Sequence, residues 1–216
     1  MPRLNIFIED PNLLQRALQE TRESYRPLDP GWYLYKKLLK YDIQNKFSND
    51  FIELVYVTLS AWNMNSRGAK LQEYDQFKNS IVNCRNVIEG LNEYSIENIS
   101  EQNIIDRLYE LFSCLNLVAD NKPKLVTYSK AFHFFMPNLV GPIDRKYTLQ
   151  FFYGHTNVPK RTEKQFDKFI EIEKQYSNLI SSVDLHQYID NNLNSKYPKI
   201  VDNIIIGYQR LNMVEI

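Results

Sequence analysis

Apolar residues along this chain recur at spacings of three and four, the period of helices that bury one face. Asp10-Pro11 reads as an N-cap with proline at the first helical position, followed by Leu13, Leu14, Ala17 and Leu18. A proline-rich break at residues 26–31 precedes a second stripe of Trp32, Tyr35, Leu38 and Leu39. Phe51, Leu54, Val55, Thr58, Leu59 and Trp62 form a third, and Ile104, Leu108, Leu111, Leu115 and Val118 the cleanest of all. Thr162 and Gln165 have capping-box spacing ahead of Phe166, Phe169, Ile170 and Tyr176. Ser182 is placed to cap a short helix through Leu193, and Pro198 opens a last one with Val201, Ile204, Ile205, Tyr208 and Leu211. Two-residue alternation is confined to residues 4–8. The pattern predicts a single all-α domain over residues 1–216, of about eight to ten helices. The order of segments also allows two lobes around a cleft, residues 1–49 with 156–216 and residues 50–155.

Composition narrows the chemistry. Fifteen tyrosines and twelve phenylalanines predict a core rich in rings whose hydroxyls need partners. Twenty-six basic and 26 acidic side chains cancel, so the molecule as a whole is not steered toward nucleic acid. Six glycines form neither a GxGxxG nor a GxxxxGK[ST] loop, which sets aside dinucleotide and P-loop readings. Cys84 and Cys114 lack CxxC spacing and read as buried free thiols of a reducing compartment, a disulfide between them being the less favoured pairing. His133 falls inside an aromatic run and reads as a core residue, and His155 and His186 lack metal-ligand spacing, so no metal or cofactor is expected. The first residues lack a signal-peptide core, and no apolar run nears the ~20 residues that span a bilayer. A cytoplasmic protein with no membrane partner is expected.

The densest chemistry lies in residues 129–152. An apolar run ends at Pro137, and a Pro/Gly turn then delivers Asp144, Arg145 and Lys146 to the head of a second aromatic run. A carboxylate so placed is either a helix cap or a positioned catalytic base. From Asp120 to Lys168, nine cations face four carboxylates, among them Lys122, Lys124 and Lys130, with Tyr147 one of the interleaved rings. This is a candidate phosphate-binding face, or else a solvated surface over packed rings. Residues 63–69, NMNSRGA, place Asn63, Asn65, Ser66 and Arg67 in one polar turn. Such a turn suits the end of one helix and the cap of the next, or contact with a base edge or phosphate.

Residues 51–63, FIELVYVTLSAWN, and 141–148, GPIDRKYT, resemble elements of the helix-hairpin-helix superfamily of base-excision DNA glycosylases. There a helix reading FxxLVxxILSxQ leads into a polar turn, and a VDTHVxR turn sets a catalytic Asp at a helix start. The hairpin is degenerate: residues 121–130, NKPKLVTYSK, have no glycine, and the His of the VDTHV element is absent. The resemblance implies an all-helical glycosylase-like fold, with DNA as partner and Asp144 as catalytic carboxylate acting on a flipped base. It further implies that Asn63–Arg67 contact the opened duplex while Lys122, Lys124, Lys130, Arg145 and Lys146 hold phosphates. Two other functions are compatible with the same residues. One is a non-enzymatic helical module that binds a protein partner; the other is a hydrolase of free nucleosides or nucleotides.

Overall fold

The computed structural model describes residues 3–26, 28–65, 69–190 and 192–214. Its first helices are α1 (Asn5–Glu9), α2 (Pro11–Ser24), α3 (Pro30–Leu38) and α4 (Asn49–Ala61), and the last three begin where a side chain accepts the free N–H groups of the first turn. Asp10 accepts from the Asn12 and Leu13 amides at 3.0 and 3.1 Å, and Asp29 accepts from Trp32 N at 2.8 Å. Ser48 accepts from Phe51 N at 3.2 Å. Pro11 and Pro30 occupy the first helical position, where the missing N–H costs nothing.

There follow α5 (Tyr74–Asn83), α6 (Arg85–Leu91), α7 (Gln102–Cys114) and α8 (Leu125–Phe135). The chain closes with α9 (Gln150–Tyr153), α10 (Thr162–Ser182) and α11 (Tyr197–Val214). The fold is all-α, with eleven α-helices and no strand among the described residues. That exceeds the expected eight to ten because α1 and α9 are single-turn pieces. The alternating residues 4–8 lie in and next to α1, with Phe7 buried and Ile8 exposed.

Helix α8 is the buried axle: every residue from Leu125 to Phe135 is shielded from solvent. Helices α4 and α10 pack against it, α3 packs on α4, and α10 touches α1, α7 and α11. Two capping expectations are corrected. Arg161, not Thr162, sits at the N-cap of α10, and Gln165 is buried and faces α8. There Gln165 Oε1 accepts from Lys124 N and Leu125 N at 2.7 and 3.0 Å. The start of α8, which has no side-chain cap of its own, thus borrows one from α10. Ser182 ends α10 rather than opening a helix, its hydroxyl donating to the Asn178 carbonyl. Beyond it Asp184 and Asp190 draw nearby amides into local turns, leaving only a 3₁₀ turn at His186–Tyr188.

Cys84 is buried but Cys114, at the end of α7, is exposed, contrary to the expectation of two buried thiols. Both are free, with their Sγ atoms 2.8 Å apart.

Helices α2 and α11 pack with their backbones in close contact at Gly207. A Cβ added at Gly207 would lie 1.8 Å from the Ala17 carbonyl oxygen, and Thr21 Oγ1 donates to the Asn203 carbonyl at 2.6 Å. Gly207→Ala must therefore push two backbones apart, and it should destabilise the fold by about 1–3 kcal/mol or more in urea titration.

Candidate functional site: a carboxylate and two lysines in a ring-walled cavity

The segment after α8 is tied down at nearly every residue. Gly141 N donates to Glu173 Oε2 at 3.0 Å, and Ile143 N donates to Ser129 Oγ at 3.0 Å. Glycine is required at 141 because a Cβ there would meet the Tyr176 ring at 2.4 Å. Asp144 then adopts extended backbone and starts a π-helical turn, Arg145–Leu149, closed by Leu149 N donating to the Asp144 carbonyl at 3.0 Å. Its own amide donates to Thr148 Oγ1 at 2.9 Å.

Both carboxylate oxygens of Asp144 are engaged. Oδ1 accepts from Lys146 N and Tyr147 N at 2.8 and 3.4 Å, so the cap reading holds. Oδ2 meets Lys130 Nζ at 3.0 Å, with the lysine side chain 7% exposed and the aspartate side chain 30%. Burial by itself raises the Asp144 pKa. The Lys130 charge and hydrogen bond, with the two backbone amides, outweigh it and hold the carboxyl below its ordinary value. The group is therefore ionised at neutral pH. It is suited to stabilising a developing cation or orienting water, not to donating a proton.

Asp144 and Lys130 line a cavity of about 460 Å³. Trp62 and Asn63, at the C-terminal end of α4, form one wall, and Tyr25 and Tyr147 contribute further rings. Asn63 has φ 61°, a left-handed conformation that asparagine tolerates, and this turns the chain away after Trp62. The Trp62 ring packs on Phe134 and Tyr35, with centroids 5.1 and 5.6 Å apart. Gly31, at the start of α3, makes room for it, since a Cβ there would lie 2.7 Å from Trp62 Cδ1.

A second ion pair lies in the same wall. Lys199 Nζ and Asp202 Oδ2, one turn apart on α11, are 2.5 Å from each other, with both side chains 4% exposed. Burial alone would lower the Lys199 pKa, yet the Asp202 carboxylate, with Tyr25 and Tyr35, carries it above its ordinary range. Burial pushes the Asp202 carboxyl up, offset in part by Lys199. Lys130 and Lys199 sit 5.6 and 5.8 Å from the Trp62 ring centroid, so two buried cations lie within cation–π range of the indole.

Of the residues singled out in the sequence, Asp144, Lys130, Tyr147 and Asn63 converge on this cavity. The others do not. Asn65 Oδ1 accepts from Leu71 N at 3.3 Å. Lys124 Nζ lies over the Tyr128 ring and reaches the Phe112 carbonyl. Arg145 Nε donates to the Thr156 carbonyl at 3.0 Å, away from the cavity. Lys146 is exposed over the Tyr147 ring, and Lys122, half-buried, is not part of the wall. Ser66 and Arg67 lie outside the described residues. Trp62, Tyr25, Lys199 and Asp202 were missed as site residues. Lys199 and Asp202 did leave a sign, two opposite charges at i and i+3 on the apolar face of α11.

A larger cavity, about 760 Å³ between α1, α9 and α11, includes Arg3, Glu9, Phe151 and Tyr208. Arg3 is bonded there to the Phe151 carbonyl, and the wall holds no pair of buried charges. The smaller cavity is the better candidate. No group of three or more potential metal ligands occurs among the described residues, and no helix among them is long and apolar enough to cross a membrane. Comparison with protein-family models, curated proteins and solved structures finds no match.

Two variants should show opposite pH signatures. Asp144 has a lowered folded-state pKa, so its stabilisation is present above the unfolded value near ~4 and is lost as pH falls through the folded value. Asp144→Asn keeps a good cap but strands the Lys130 ammonium. It should cost about 1–3 kcal/mol at pH 7, fading in acid, with part recovered in Asp144→Asn/Lys130→Met. Glu173 is fully buried with Oε1 unpartnered, and burial raises its pKa well above normal despite the Gly141 amide. Its contribution is therefore greatest in acid and falls as pH rises past ~4.3. Glu173→Gln should be more stable than the parent at pH 7 and lose that advantage below about pH 4, as read by urea titration at each pH.

Proposed function

We propose that this chain hydrolyses N-glycosidic bonds, the leading substrate being a damaged or mispaired base flipped out of DNA. The observation that carries the reading is an ionised carboxylate, Asp144, bridged to buried Lys130 on the wall of a cavity lined by Trp62, Tyr25 and Tyr147. About 460 Å³ falls within the ~300–1,000 Å³ typical of small-molecule pockets, large enough for a nucleobase and its sugar. Indole and phenol rings stack on any base face, which suits them to the walls of a base pocket.

In this mechanism the C–N bond breaks with its electron pair leaving on the base, and positive charge develops on the sugar. The Asp144 carboxylate lies at the cavity wall to stabilise that charge. Water then adds its oxygen to the anomeric carbon, and its proton ends on the departing base. Because Lys130 and two amides occupy the carboxylate, it is a weak base. Electrostatic stabilisation is accordingly its main role, and water orientation a lesser one.

A second reading, hydrolysis of free nucleosides, has one observation in its favour. Lys124 and Arg145, expected at phosphates, are turned to backbone carbonyls of the chain itself. The cations in the cavity wall, Lys130, Lys199 and Arg210, are each paired to a carboxylate, Asp144, Asp202 and Glu20.

The test is base release from duplexes, single strands and free nucleosides, with a salt series of DNA binding alongside. Asp144→Asn should lower release by ~10²–10⁴-fold with affinity little changed. Trp62→Ala should instead weaken binding, by about 1–3 kcal/mol of lost stacking. Steep salt dependence of duplex binding would select the DNA substrate, and release from nucleosides alone would select the second reading. If Asp144→Asn released bases as fast as the parent, the proposed mechanism would be wrong.

A further inference from the structure

A separate, smaller cavity opens near the C-terminal end of α8. It has a volume of about 240 Å³ and is lined in part by Tyr41, Lys46, Asn92, Asn138 and Lys196. Lys46 is 8% exposed, and its Nζ accounts for one hydrogen bond, to the Phe135 carbonyl at 2.5 Å. That bond caps the end of α8 and leaves two of the three ammonium N–H groups over. Lys196 lines the same space, and neither lysine has a carboxylate within ion-pair distance among the described residues. Asp42 and Asp50 each lie four residues from Lys46 in sequence and neither pairs with it; Asp42 Oδ1 is committed to the backbone and side-chain amides of Asn45. Two like charges face one cavity, and no carboxylate among the described residues pairs with either.

We propose that this cavity is a binding site for a phosphate monoester, held between Lys46 and Lys196 with the amides of Asn92 and Asn138 at its edge. The charge matches: a phosphate monoester carries about −1.5 to −2 at neutral pH, whereas a carboxylate would balance one lysine only. The ammonium geometry matches too, since lysines act as point-charge donors to a tetrahedral anion and lack the planar fork of arginine. Size limits the ligand. A volume of about 240 Å³ lies below the ~300 Å³ at which pockets begin to enclose drug-sized molecules, so the phosphoryl group enters and the rest stays outside. Burial and the Lys196 charge pull the Lys46 pKa down to about 8, as expected for a cation lacking its counter-ion. His133, also in the wall, adds no charge. Its Nδ1 faces the Val140 carbonyl and must carry the proton, so Nε2 accepts from the Tyr35 hydroxyl.

Two sources share this chemistry: a free mononucleotide and the 5′-phosphate at a nucleic-acid end. Isothermal titration of the full chain with inorganic phosphate comes first. A mononucleotide and a 5′-phosphorylated oligonucleotide follow, each compared with its dephosphorylated form. The expected result is saturable binding of inorganic phosphate that weakens about tenfold in Lys196→Gln. One phosphorylated ligand should bind more tightly than its dephosphorylated form, and which one does so identifies the source. Lys46→Gln should lose binding as well, and a thermal melt separates that loss from damage to the α8 cap. Asp144→Asn should bind phosphate like the parent, so failure of the glycosidic mechanism leaves this site standing, and the reverse. Absence of phosphate binding, or binding unchanged in a folded Lys196→Gln protein, would overturn the proposal.

Discussion

The 3.0 Å bridge between Lys130 and Asp144 is the constraint around which the rest of the molecule is arranged. A lysine in the middle of a wholly buried helix is tolerable only if its charge is met, and α8 offers no partner of its own. The chain must therefore leave α8 at Pro137, turn through residues 138–143 and return with a carboxylate at the right height. Each anchor of that turn serves this end. The Glu173 and Ser129 side chains hold its amides, Gly141 lets it pass under Tyr176, and Thr148 receives the Asp144 N–H. The π-helical turn that follows is the geometry in which one carboxylate oxygen caps the backbone while the other still reaches Lys130.

The same economy shapes the opposite wall. Lys199 and Asp202 neutralise each other inside α11, and Lys130 and Lys199 lie 5.6 and 5.8 Å from the Trp62 ring centroid. Buried ion pairs of this kind add little to stability, since desolvation offsets most of their attraction. On the hydrolysis proposed above, two such pairs around one aromatic cavity serve as preorganised electrostatics: fixed charges set before a substrate arrives. The aromatic core then has two roles. Most of its rings fill volume around α8, as in the cluster of Phe112, Tyr128, Phe132 and Phe169, whereas Trp62, Tyr25 and Tyr147 face space.

Much of this was legible before the structure. The three-and-four spacing marked the long helices, Asp10-Pro11 marked a helix start, and the Pro/Gly turn into Asp144 marked a cap. Local rules sufficed there because the partners are neighbours in sequence. They failed where a partner comes from elsewhere in the chain. Gln165 looked like half of a local capping box, yet it caps α8, forty residues away. Arg145 and Lys124 looked free to bind phosphate, but carbonyls supplied by Thr156 and Phe112 hold them. Lys130 was weighed with the other cations as a surface charge, since nothing in its immediate neighbours says that Asp144 will fold back onto it. Lys199 and Asp202 were passed over because an apolar stripe hides the pair it carries.

At the centre of this account is a carboxylate kept ionised by one buried lysine inside a ring-walled cavity. The most direct measurement is an NMR titration of the Asp144 side-chain carboxyl in the parent and in Lys130→Met. The parent should titrate below the ordinary aspartate value of 3.8, and removal of Lys130 should move the midpoint upward as burial loses its main opponent. A parent midpoint at or above the ordinary value, or one that Lys130→Met leaves in place, would contradict it.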